Sequence, residues 1–157
     1  MTVRIRMVIL VVAMLSIHAG LLSADDPFAG TWVLNIAKSK YNPGPPPKSL
    51  IYTYIPFGKD GGLKVHGGVA QSGLSYIRVE TMDGKPFPYT ANPAYDQGTR
   101  TRPDLYTIRG QYLKNGKVLT TMDRVVSKDG KTMISTVKGK RPSGEAYEAY
   151  RVFDKVQ

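Results

Sequence analysis

From residue 30 to residue 155, apolar and polar positions alternate with period two in run after run. No stretch carries the three-and-four spacing of a sustained helical face. "SLIYTYIPF", "LSYIRVETM", "KVLTTMDRVV", "KTMISTVK" and "AYEAYRVFDK" are rich in valine, isoleucine, threonine and tyrosine, the residues that fit a pleated, half-buried surface. Between them stand Asp60-Gly61, Asp83-Gly84, Asn115-Gly116, Asp129-Gly130 and Ser143-Gly144, pairs that tolerate the positive φ of tight hairpins. The pattern predicts strands over 30–37, 48–57, 62–68, 73–82, 85–90, 98–102, 105–113, 117–126, 131–138 and 145–155. Strands joined in sequence by short turns form an up-and-down meander. A meander of eight to ten strands removes its exposed edges by closing on itself, so the predicted fold is an all-β antiparallel barrel. Residues 38–47, with Pro43, Pro45, Pro46 and Pro47, read as an extended connection rather than a strand. Residues 91–103, with Pro93 and Pro103, read as a second irregular stretch, and long loops of this kind form the mouths of barrels.

Alternation also assigns faces. In the first strand Trp32, Leu34 and Ile36 share the better core face, with Gly30 just before them. In 62–68, Leu63 and Val65 oppose Lys64 and His66, which puts His66 toward water. In 117–126 one face holds Val118, Thr120, Met122, Arg124 and Val126; in 145–155 one holds Tyr147, Ala149, Arg151, Phe153 and Lys155. Both strands thus carry an arginine on their more apolar face. Arg78, by contrast, shares a face with Glu80, and Arg109 shares one with Gln111 and Thr107. Arg124 and Arg151 belong on next-nearest strands, roughly 10 Å apart at about 4.8 Å per strand step, so one anionic head group spans both. The inward faces offer no carboxylate to pair them, and an unpartnered buried arginine is costly. A ligand anion or backbone carbonyls then have to serve. A second role stands open for Arg151: to lie over Trp32 and seal the barrel bottom, a cation–π contact worth roughly 0.5–2 kcal/mol. Arg124 has a surface role as its alternative, since a one-residue slip flips every assignment on its strand.

The residues before this alternating region have a different character. Arg4 and Arg6 precede a mostly apolar run from Met7 to Leu22, and small residues follow at Ser23 and Ala24. That is the form of a secretory signal, with cleavage expected after Ala24 and an uncleaved anchor as the alternative, the run being short of the about 20 apolar residues of a membrane span. The expected organisation is a signal peptide over 1–24 and a barrel domain over 25–157, exported to the periplasm or beyond the cell. Removing the leader takes the formal net charge from +10 to +8. No block of like charges accompanies it, so the positive balance reads first as a basic surface with weak attraction to anionic envelope surfaces.

"GTW" at the first strand and an arginine in the last resemble the lipocalin and fatty-acid-binding-protein superfamily, and the ending "YRVFDKV" resembles the closing strand of fatty-acid-binding proteins. More narrowly, "GTWVLNIAKSKYNPGPPPKS" and "DRVVSKDGKT" resemble a group of exported bacterial lipocalin-like proteins, over about Phe28 to Lys155. The resemblance implies a calycin-type barrel that holds a small apolar molecule; it implies no activity. Fatty-acid-binding proteins hold a carboxylate with an arginine followed two residues later by tyrosine. The matching positions here are Arg151 and Phe153, and phenylalanine lacks the hydroxyl.

Most chemistry is disfavoured by what the chain contains. There is no cysteine, which removes disulfides, thiol catalysis and a thiolate metal site. After the leader His66 is the single histidine, with no orienting partner in view, so neither a metal centre nor a histidine-led triad is expected. Gly61-Gly62 and Gly67-Gly68 precede no helix and make no phosphate loop. Ten tyrosines together with positive charge raise single-stranded nucleic acid as a partner, but no recognised motif accompanies them and none is expected. No cofactor and no catalytic residue is expected. The function predicted is a non-enzymatic carrier whose wall draws on Leu34, Ile36, Tyr54, Met122, Tyr147 and Phe153. Arg124, with Arg151, meets an acidic head group, while Gly30, Trp32 and Arg151 close the base. The alternative is a barrel with a filled interior, acting as an envelope interaction module through its basic face.

Overall fold

A computed structural model describes residues 26–69, 74–141 and 143–156; the leader expected over 1–24 lies outside them. Eleven strands follow one another: β1 Gly30–Leu34, β2 Lys40–Asn42, β3 Ile51–Phe57, β4 Gly62–Val69, β5 Leu74–Glu80, β6 Phe87–Pro88, β7 Gln97–Asp104, β8 Thr107–Lys114, β9 Lys117–Val126, β10 Thr132–Lys140 and β11 Ala146–Val156. No helix occurs among the described residues.

Ten strands form one antiparallel path, β5-β4-β3-β1-β11-β10-β9-β8-β7-β6. The first and last strands therefore lie side by side, with Trp32 opposite Lys155 and Leu34 opposite Phe153. The path stops at β5 and β6, which follow each other in sequence but are not paired; the bridge between Asp83 and Thr101 lies at this seam. The barrel is thus nearly closed rather than fully closed. Asn115-Gly116 turns β8 into β9 with φ of 49° and 73°, the left-handed pair that a two-residue hairpin requires.

The predicted strand 30–37 ends at Leu34. The Asn35 side chain donates to Asp154 (2.7 Å) and accepts from the Lys38 amide (3.1 Å), which turns the chain outward. Ile36 sits in this turn, 43 % exposed, and is not a wall residue. The connection 38–47, predicted to lack a strand, contains β2, which pairs with the early part of β11 while β1 pairs with its end. One edge of β11 is thus covered by two short strands with an outward turn between them. In the second irregular stretch, β7 extends through Pro103, where its pairing with β8 shifts register. The predicted strand 85–90 contracts to Phe87–Pro88.

Below the middle, the barrel is solid. Phe28, Trp32, Leu63, Ile108, Val126, Met133 and Phe153 are buried together. Trp32 is fully buried, and its Nε1 donates to the Phe28 carbonyl (2.8 Å). Gly30 adopts φ +110°, a conformation that strains any side chain, and the end of the Lys155 side chain lies over it. The cation over the indole is Lys155, its Nζ 5.1 Å from the ring, and not Arg151. Register explains the difference: Lys155 is directly opposite Trp32, whereas Arg151 lies four residues, about 13 Å, further along the same face. Arg102 completes the base with a two-pronged contact to Asp26 (2.6 and 2.7 Å).

Candidate functional site

Cross-strand pairing stacks the interior in rows. One row runs Arg151–Ser135–Arg124–Ile108 across β11, β10, β9 and β8. The two arginines are next-nearest neighbours, as expected, with the small buried Ser135 between them. A second row, nearer the mouth, runs Tyr147–Gly139–Thr120–Tyr112–Gly98–Phe87. On the opposite wall, pairing places Tyr52 beside Gly67 and Gly67 beside Tyr76.

The two arginines have different surroundings. Arg124 is buried, and its Nη1 is 3.3 Å from Glu80, a fully buried carboxylate. Glu80 also receives Arg78 Nε at 2.7 Å and Arg100 Nη2 at 3.2 Å. The expected absence of an inward carboxylate is therefore corrected. On β5 it is Arg78 and Glu80 that point inward, while Ile77, 62 % exposed, and Val79 face out. Arg100, missed from sequence, fits because Gly110 stands opposite it; a Cβ at Gly110 would meet Arg100 Cδ at 2.7 Å. Burial alone would raise the Glu80 carboxyl, but Arg100, Arg78 and Arg124 outweigh it and hold the group well below the usual carboxylate range. Four guanidiniums, counting Arg151, thus share the interior with one carboxylate. Arg78 Nη1, Arg124 Nε and Arg151 Nε are buried without a hydrogen-bond partner among the described residues.

Above this charged layer the barrel opens into a cavity of about 910 Å³. Its rim is Pro43–Pro47 and the segment 91–95, the two proline-containing stretches expected at the mouth. Seven of the chain's tyrosines line it: Tyr41, Tyr52, Tyr76, Tyr89, Tyr95, Tyr112 and Tyr147. Arg151 stands on the wall, its Nη2 donating to the Tyr147 hydroxyl (3.0 Å) and its guanidinium 5.5 Å from the centre of the Tyr41 ring. It makes no ion pair among the described residues. Burial pushes the Tyr41 phenol up to about 12, so it remains a neutral hydrogen-bonding group.

Of the predicted wall, Tyr147 and Arg151 line this cavity. Leu34, Tyr54, Met122 and Phe153 are buried in the packed part below it, and Ile36 is outside. Arg124 is committed to Glu80 beneath the cavity, not placed on its wall. The filled interior of the alternative reading applies to the lower half only. His66 is exposed on β4, as its alternation predicted. The tyrosines were visible in the composition, but their convergence depends on the barrel bringing β3, β5, β8, β11 and the 91–95 segment around one cavity, which no local pattern encodes.

No protein-family model matches this chain, and no curated protein sequence matches it. Among solved structures it is similar to zebrafish ileal bile acid-binding protein complexed with cholic acid, at a TM-score of 0.60 and 14 % identity, covering 83 % of this chain and 99 % of that one. It is also similar to the Schistosoma mansoni fatty acid binding protein in complex with arachidonic acid, at a TM-score of 0.58 and 13 % identity, covering 83 % and 97 %. At such identity the likeness is one of fold: the all-β antiparallel barrel read from the sequence.

Proposed function

We propose that this protein is an exported, non-enzymatic binding protein that holds a small amphipathic molecule, with its acidic end at Arg151, in the upper half of the barrel. One observation carries the reading: a cavity of about 910 Å³ with a proline rim, whose wall bears an arginine with no acidic partner among the described residues. A guanidinium in such a place favours a carboxylate, sulfonate or phosphate, to which it offers paired donors. The arginine excess of the layer beneath adds a positive field of the same sign. Folds of this kind hold bile acid and fatty acid in the similar structures, which supports a ligand of comparable size. Export rests on the basic, then apolar, then small-residue order of the first 24 residues. The net positive charge adds weak attraction to anionic envelope surfaces. Mass spectrometry of natively purified protein, before and after solvent extraction, tests the reading. A stoichiometric small amphiphile supports it. No bound molecule, together with no displaceable binding of an apolar fluorescent probe, overturns it.

A further inference from the structure

Beneath its proline rim the cavity wall carries more aromatic than aliphatic side chains, and the charged residues that line it are arginines. Tyr89, Tyr95 and Tyr112 form a compact group. Tyr95 and Tyr112 are 5.1 Å apart and tilted by 30°, while Tyr89 meets Tyr112 edge-on at 4.8 Å. Tyr52 and Tyr76 face the cavity from the other wall, and aliphatic side chains such as Leu50 and Val137 are in the minority. Ring clusters with these offsets and angles accept a further flat ring by stacking or by edge contact, a geometry that a flexible chain does not match.

The rings are also backed by cations. Arg78 lies 4.8 Å from the Tyr76 centroid and 5.2 Å from that of Tyr89, Arg100 lies 4.6 Å from Tyr112, and Arg124 lies 5.6 Å from Tyr52. A guanidinium against a ring draws on the negative face that would otherwise attract a cationic ligand. Aromatic cages that take quaternary ammonium groups depend on that face being free and on the absence of nearby positive charge. Here Arg151 stands on the wall itself, Arg141 beside the rim is paired with Glu145 (2.8 Å), and no carboxylate lines the wall among the described residues. Electron-rich, negatively charged rings meet both features favourably.

We infer that the ligand class of this cavity is a planar aromatic anion, a fused-ring carboxylate or sulfonate, in preference to a saturated acyl chain of similar volume. The inference rests on the binding reading above and narrows it. The flat ring lies against the Tyr89–Tyr95–Tyr112 group, and its anionic substituent meets Arg151.

Calorimetric titration of the full chain with 2-anthracenecarboxylate and with dodecanoate tests this. The aromatic acid is expected to bind at least tenfold more tightly. Tyr95→Leu keeps an apolar wall but removes a ring, and is expected to abolish most of that preference; Tyr95→Phe keeps the ring and is expected to retain it. The Phe variant also separates stacking from the hydrogen bond between the Tyr95 and Thr120 hydroxyls (3.0 Å). Dodecanoate binding as tightly as the aromatic acid, or a preference unchanged in Tyr95→Leu, overturns the inference and leaves the broader binding reading standing. Binding of neither acid overturns both. Should the Leu variant fail to fold, the wild-type ratio decides alone.

Discussion

Glu80 is the residue on which the interior depends. Its carboxylate meets three guanidiniums within 3.3 Å, and its removal would strand them in the barrel. Breaking a buried pair by deleting one partner costs about 3–5 kcal/mol. Glu80→Gln is expected to lose stability on that scale, measured by urea unfolding at pH 7. The same residue sets an acid limb. In the folded state its carboxyl is held far below its value in an unfolded chain, so below about pH 4.3 the unfolded state binds more protons. The Glu80 contribution is present in full above that pH and is lost progressively below it. Glu80→Gln should flatten this limb as well as lower the plateau; a limb of unchanged slope in the variant would contradict the assignment. The sequence showed that Arg78 and Glu80 share a face, but hydrophobicity alone would point that face outward, because Ile77 and Val79 occupy the other. What reverses it is the pairing of charges between opposite walls. Arg100 was harder still: Thr99 and Thr101 flank it, Gly98 and Arg102 share its face, and 98–102 holds no large apolar residue to mark an inside.

At the scale of elements, turn chemistry and alternation carried most of the information. Asn115-Gly116 adopts the left-handed pair that its residue types prescribe, and β9 and β11 bury most of the side chains that alternation assigns; Val118, at the register shift opposite Leu113, is exposed, and Val152 is buried from the other face. Gly116→Ala should therefore cost about 1–2 kcal/mol, the penalty for placing a Cβ in left-handed backbone. A urea midpoint that does not move would contradict the hairpin geometry. Boundaries fared less well wherever a side chain competed with the ladder. Asn35 ended β1 early by bonding Asp154, and with that Ile36 left the wall. β2 was hidden because its three residues, Lys40 to Asn42, sit between a turn and a run of prolines and pair with a strand more than 100 residues away. Local pattern has no access to a pairing of that range. Lys155 took the place foreseen for Arg151 for a related reason: face was legible, but register along the face was not.

The whole molecule is a barrel in two halves. The lower half is packed around Trp32, and the upper half is open and lined by tyrosine, with a layer of one carboxylate and three arginines between them. This division explains why the predicted wall residues Leu34, Tyr54, Met122 and Phe153 proved to be filling: they face inward, but Tyr54 and Met122 lie level with the charged layer, in register with Arg78 and Arg100, and Leu34 and Phe153 lie below it. It also gives Arg151 its place, above the reach of Glu80 and against the cavity. Titration of 8-anilinonaphthalene-1-sulfonate, followed by its fluorescence, tests this arrangement most directly. The wild-type chain should show one saturable site. Arg151→Gln removes a charge-assisted contact of about 1.5–3 kcal/mol and should weaken that site about tenfold or more, with the urea midpoint shifting far less than in Glu80→Gln. Fluorescence that does not saturate, or an affinity unchanged in Arg151→Gln, would contradict the account.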